Sequence, residues 1–241
     1  MDCFALVCVS SVLILAAGPP ARGQASSPVA PDPDAASPGS VLLGSVSVDP
    51  DRSSLSFSGH VNQVSGAVEL LVCGPGGKTH ESVFVTDVDP MEVQAALLLL
   101  GLRQAAAPPC GPDQARPGTL ADVWIQWSIQ ATTSAVRAES TLFHQGENRV
   151  LPRSGWVLTG SESIDGVFMA CEEEGLIATY CSPWAILNLN HPAARDDALL
   201  TAHESGLPPL GTPVRIVIRP RRHGEPSPAP DLRGYDAGGE G

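Results

Sequence analysis

Lysine is almost missing from this 241-residue chain: of its fourteen Lys and Arg residues, thirteen are arginine and one, Lys78, is lysine. Basic residues as a class are scarce too, and against twenty-six Asp and Glu they leave a formal net charge of −12. A surface of that sign repels phosphate backbones and anionic lipid, which argues against nucleic-acid binding and against charge-driven membrane binding. The familiar catalytic signatures are also absent. There is no Gly-x-Ser-x-Gly elbow, no His-Glu-x-x-His zinc helix, no Walker loop and no Gly-x-Gly-x-x-Gly fingerprint. No motif implies a cofactor. The acidic clusters Cys171-Glu172-Glu173-Glu174 and Asp196-Asp197 lack the spaced oxygen ligands of a calcium loop and read as solvated surface.

What is there centres on residues 76–102, GGKTHESVFVTDVDPMEVQAALLLLGL. A solitary lysine beside His80 and Glu81 is either a chance survivor or a position that wants a compact, titratable ammonium rather than a guanidinium. Lys78, His80 and Glu81 are therefore the candidate ligand-binding residues, with Lys78 and His80 suited to a small anion or a peptide terminus. Ser82-Val83-Phe84-Val85-Thr86 then reads as a strand. A helix from Pro90 to Leu100 follows, with Asp89 as N-cap, Glu92 completing a capping box and Val88 with Val93 forming the staple. Gly101 suits the C′ position. Val93, Ala96, Leu97 and Leu100 form its stripe, and Leu98 with Leu99 widen it until a helix buried on most sides is expected.

Gly77-Lys78-x-His80-Glu81, the Val-Thr-Asp and Pro that follow, and the Ala-Leu-Leu-Leu-Leu-Gly helix resemble the YdjY-type domain, a poorly characterised family of exported bacterial proteins. Trp156-Val157-Leu158-Thr159-Gly160-Ser161, Glu174-Gly175-Leu176-Ile177-Ala178-Thr179-Tyr180 and Pro208-Pro209-Leu210-Gly211-Thr212-Pro213-Val214 are similar to it in order and spacing, over roughly residues 55 to 220. The resemblance implies a fold and export more than an activity. The family takes its name from a protein described as ferredoxin-like, but this chain lacks the closely spaced cysteines of an iron–sulfur cluster, so electron transfer does not carry over.

Four segments are expected: a signal peptide over residues 1–23, a disordered Pro/Ala/Ser-rich linker over 24–50, one domain over 51–220 and a disordered tail over 221–241. The apolar run from Phe4 to Ala17 is too short to span a bilayer comfortably and ends at Gly18-Pro19-Pro20, as the core of a signal peptide does, although no Lys or Arg precedes it. A retained N-terminal anchor is the alternative. Export to the periplasm or medium permits disulfides, and removal of Cys3 and Cys8 leaves Cys73, Cys110, Cys171 and Cys181, with three possible pairings. Cys73 with Cys110 would bracket the lysine-to-helix segment, and all four thiols reduced is the other possibility.

Inside the domain, period-two patterns over Leu55 to Val61, Val68 to Val72 and Val123 to Ile129, and shorter strands at Gly155 to Thr159, Val167 to Ala170, Leu176 to Tyr180 and Val214 to Ile218, are separated by turns such as Ser65-Gly66, Asp165-Gly166 and Glu174-Gly175. A short second helix fits around Ala138 to Phe143. The resulting fold class is α+β, a mainly antiparallel sheet covered by the Pro90 to Leu100 helix. The proline-interrupted stretch from Ala105 to Thr119 is long for a compact domain and reads as either a functional loop or, the favoured reading, a mobile one.

Strand alternation places Lys78, His80 and Ser82 on one face and Glu81 with Val83 and Val85 on the other, which denies His80 and Glu81 a common metal ion. It also turns Glu81 inward, in need of a cation such as Arg215 or Lys78. On that reading Glu81→Ala destabilises more than Lys78→Arg. Two functions follow: a non-catalytic module of the cell envelope that binds a small ligand or a partner protein, or a small hydrolase or metal-dependent enzyme built on Lys78, His80, Glu81 and His203 or Asp165.

Overall fold

The computed structural model describes residues 39–51, 53–105 and 119–221. The signal-peptide segment, residues 24–38 of the linker, the middle of the 105–119 loop with Cys110, and the tail beyond residue 221 lie outside the described residues.

The strands in chain order are β1 (Val41–Leu43), β2 (Val46–Asp49), β3 (Ser54–Val61), β4 (Leu70–Cys73) and β5 (Ser82–Val85) before helix α1 (Pro90–Leu99). After it come β6 (Leu120–Ile129), β7 (Thr132–Arg137), β8 (Leu142–His144), β9 (Arg149–Val150), β10 (Trp156–Leu158), β11 (Ser163–Ile164) and β12 (Val167–Phe168). A one-turn helix α2 (Met169–Glu172) leads to β13 (Gly175–Ala178), β14 (Leu187–Leu189), β15 (Leu200–Ala202) and β16 (Pro213–Pro220).

Eight of these close into a barrel in the order β3-β16-β6-β10-β14-β13-β4-β5, with β5 pairing back onto β3. The molecule is thus more β-rich than an open sheet under a helix. Closure removes the sheet edges that an open sheet would have had to cover. Strand pairing is mainly antiparallel, as expected, but β4–β5 and β13–β14 are parallel. The long strands β3 and β6 each change partner along their length. β3 runs beside β2 and then β5, and β6 beside β10 and then β7. Val123 and Ile125 of β6 are wholly buried where it lies in the barrel, whereas Ile129 is exposed where the β6–β7 hairpin projects from it.

Continuous burial of β5 follows from its place in the closed wall: Ser82, Val83, Phe84 and Val85 are all buried, with no polar face. The first linker boundary is corrected by β1 and β2, which lie within residues expected to be disordered. Val46 and Val48 enter the main core, and β2 extends the sheet from β3. At the other end Arg221, assigned to the tail, donates to Asp122 on β6 at 2.6 Å. The segment around residue 138 is a 3-10 turn, Ala138–Thr141, followed by strand rather than a helix reaching Phe143.

Helix α1 begins as read, with Asp89 Oδ1 accepting from the Met91 amide at 2.8 Å and Pro90 at the first position. Its end is a Schellman motif: Leu102 N–H donates to the Leu97 carbonyl, Gly101 N–H to that of Leu98, and Gly101 holds φ +81°. The capping box does not form. Glu92 instead accepts from the Ser45 amide at 2.8 Å and ties the helix to the β1–β2 turn. Burial is narrower than expected. Val93, Ala96 and Leu97 face the core, while Met91, Leu98 and Leu99 are 58%, 48% and 73% exposed, because only one side of the helix packs against the rest of the molecule, chiefly β2 and α2.

Candidate functional site

Parallel neighbours must be joined by a crossover, and the two parallel pairs of this barrel are joined by unusually short ones: residues 74–81 between β4 and β5, and residues 179–186 between β13 and β14. Because β4 and β13 are antiparallel neighbours, the two crossovers ride over adjacent strands. The lysine-bearing stretch is the first of them.

Its conformation is dictated by backbone anchoring. The Gly74 amide donates to the Glu174 carbonyl and the Gly76 amide to Glu174 Oε2, both at 2.7 Å. A side chain at Gly74 or Gly77 would collide with Glu174 or the backbone beside it, which explains the glycines. Thr79–Glu81 then form a 3-10 turn pinned from β3's end by Asn62, whose amide donates to the Thr79 and Ser82 carbonyls at 2.6 and 2.8 Å. Ser82 Oγ donates to the Lys78 carbonyl at 2.6 Å.

This turn corrects the face assignment. The extended conformation starts only at Ser82, so Glu81 does not alternate with Val83 and Val85. The Glu81 side chain is about a third exposed, 3.9 Å from His80 Nε2, and His80 itself points to solvent at 75% exposure. The proposed inward partner, Arg215, donates to Ser56 Oγ instead, at 2.7 and 2.9 Å. The reason for ranking Glu81→Ala above Lys78→Arg is thereby removed.

Of the three candidates, Lys78 lines a cavity that His80 and Glu81 do not. Its Nζ donates to Glu69 Oε2 at 2.6 Å, and this bond holds the ammonium above its usual pKa despite some opposing burial. The cavity, about 200 Å³, is bounded by Glu69, Leu70, Lys78, Glu173 and Gly175 on one side and by Tyr180, Cys181, Ser182, Pro183 and Trp184 of the second crossover on the other. Tyr180 and Trp184 are 36% and 39% exposed. The second crossover is held by Asn188, whose Oδ1 accepts from the Ser182 amide and whose Nδ2 donates to the Ser182 carbonyl, each at 2.8 Å.

None of the lining residues Glu69, Glu173, Tyr180 and Trp184 was a sequence candidate for binding: Glu173 read as solvated surface and Tyr180 as the end of a strand. The signal available for Trp184 was an aromatic residue beside Ser182-Pro183, outside any expected strand, whereas Tyr180 leaves the strand only because β13 ends at Ala178. Glu174, read as solvated surface, is in fact the anchor of the first crossover. The Glu174-Gly175 pair is no hairpin turn either: Glu174 has φ +48° after α2, and β13 starts at Gly175. The Asp165-Gly166 pair does turn a hairpin, with φ +52° and +82° between β11 and β12.

Other sequence candidates lie elsewhere. His203 Nδ1 is 3.0 Å from the Ser140 carbonyl and its ring stacks on Phe143, while Asp165 sits in the β11–β12 turn. Cys73 and Cys171 are free thiols, so the Cys73–Cys110 pairing is not formed; Cys181, at the cavity wall, is disulfide-bonded. Burial raises the pKa of both free thiols, and the Asp89 carboxylate adds to this at Cys171. Among the described residues no three His, Cys, Asp or Glu side chains are grouped to hold a metal ion.

No curated protein and no solved structure matches the chain. The family profile of the YdjY domain matches residues 46–219, well over half of the sequence, starting at β2 and ending within β16. The chain belongs to the YdjY domain family.

Proposed function

We propose that this protein is an exported, non-catalytic ligand-binding module of the cell envelope, and that the cavity between the two crossovers is its binding site. The observation that carries the reading is the pair of half-exposed aromatic rings, Tyr180 and Trp184, standing over a concavity whose other wall holds the Glu69–Lys78 pair. Apolar walls with a few placed polar groups are the ordinary composition of a small-molecule site. Export is supported by the apolar stretch from Phe4 to Ala17 and by the disulfide at Cys181.

A hydrolase or metal-dependent enzyme would need Lys78, His80 and Glu81 to converge. Lys78 faces the cavity and is committed to Glu69, whereas His80 and Glu81 lie outside its lining, so the geometry favours binding over that chemistry.

The test is a small-molecule screen by protein-detected NMR on wild-type protein, repeated with Trp184→Ala. Compounds that shift signals of residues 69, 78 and 180–184 in wild type, and lose at least about tenfold in affinity in the variant, are the expected result. Hits that leave those signals unmoved and bind the variant equally would displace the site from this cavity.

A further inference from the structure

Resting on that reading of the cavity, we infer that its ligand is a small organic cation, an alkylammonium or guanidinium head group seated against Trp184 and Tyr180 and facing Glu173. Three features converge on this class. Lys78, the sole basic residue of the lining among the described residues, has its ammonium engaged by Glu69 at 2.6 Å, so the pair contributes no net charge. Glu173 is exposed, and its carboxylate makes no hydrogen bond or ion pair among the described residues. Among the described residues the lining therefore holds two carboxylates against one ammonium, an excess of one negative charge, with Glu173 acting on Lys78 only through space.

The aromatic faces select in the same direction. Trp and Tyr rings attract cations through their quadrupole, Trp most strongly, and the attraction grows as the cation is shielded from water. A carboxylate or phosphate would meet the opposite field, with Glu173 repelling it and Lys78 already neutralised. The chain's net charge of −12 raises the local concentration of cations at long range. Size agrees as well: a concavity of about 200 Å³ has room for a small alkylammonium or guanidinium head group.

The neutral pair also has a role. With Glu69 held by Lys78, the cavity presents one carboxylate, which matches a monovalent cation better than a divalent one.

Isothermal titration of the oxidised protein with choline, with its uncharged isostere 3,3-dimethyl-1-butanol, with butyrate and with Nα-acetyl-arginine amide tests the inference. Choline or the arginine derivative is expected to bind roughly tenfold or more tightly than either the isostere or butyrate, and Trp184→Ala and Glu173→Gln should each lower cation affinity about tenfold. Both substituted side chains are exposed, and a melting curve for each variant verifies the fold. Preference for choline points to a free cation, and preference for the arginine derivative to a side chain presented by a peptide. Equal binding of choline and its isostere, lost in Trp184→Ala, overturns the cation and keeps the cavity as a binding site. Cation binding indifferent to both substitutions, or no binding by any probe, overturns the inference; in the second case a hit from the NMR screen still sustains the cavity.

Discussion

His191 illustrates how one residue's surroundings set a pH response that its identity does not. Its Nδ1 accepts from the Ala193 amide at 3.2 Å, capping the 3-10 turn Pro192–Arg195. Burial chiefly, and then the edge-on His144 ring 5.8 Å away, lower its pKa; Glu147 opposes them, and Arg149 adds a smaller lowering. The sign follows from proton counting. In the unfolded chain the imidazole titrates near about pH 6.5, so on acidification the unfolded state takes up a proton before the folded state does. Stability therefore falls as pH drops through about 6.5 and the loss levels off only below the lowered folded-state pKa. His191→Asn, which keeps an acceptor for the Ala193 amide but does not titrate, is expected to lose less stability than wild type between about pH 7 and about pH 5, read as the shift in urea midpoint.

At the scale of an element, the β6–β7 hairpin turns through Gln130 and Ala131 with φ +49° and +63°. That is the backbone of a two-residue turn matching strand twist, usually built from Asn-Gly because side chains are strained there. Gln130→Asn with Ala131→Gly is expected to raise stability by about 1 kcal/mol, after allowing for the added freedom of glycine in the unfolded chain. Denaturant melts at unchanged slope would show it, and an unchanged or lowered midpoint would mean the strain is already relieved in the hairpin. Helix α1 makes the converse point. Its cap, first residue and terminal glycine were legible because those signals are local, whereas its exposed Met91, Leu98 and Leu99 were not, since the side that is covered depends on the elements packed against it.

For the molecule as a whole, barrel closure brings distant charges together. Asp122 on β6 is 2% exposed and receives Arg153 at 2.9 Å and Arg221 at 2.6 Å, joining the loop before β10 and the residue after β16 to one carboxylate. Removing the anion leaves two guanidinium groups with a poorer acceptor in a mostly water-excluded place. Asp122→Asn is expected to cost about 3 kcal/mol, and truncation before Arg221 to cost less because Arg153 remains. Chemical denaturation of the two proteins gives the ranking, and an Asp122→Asn cost within about half a kcal/mol would place the carboxylate outside the set of stabilising contacts.

By itself the sequence determined the α1 start and stop, the Asp165-Gly166 turn, most strand positions and the family, because each rests on patterns a few residues long or on residues in fixed order. It also pointed to Lys78, the one residue of the candidate trio that lines the cavity. The tertiary structure alone decided that the sheet closes, that residues 41–49 join it and that the 74–81 stretch is a crossover rather than a strand's beginning. It likewise decided that Glu69, Glu173, Tyr180 and Trp184 meet around that lysine. The physical reason is the span involved: a crossover's path and a cavity's far wall depend on strand order around the barrel, and two strands more than a hundred residues apart carry no local mark of being neighbours.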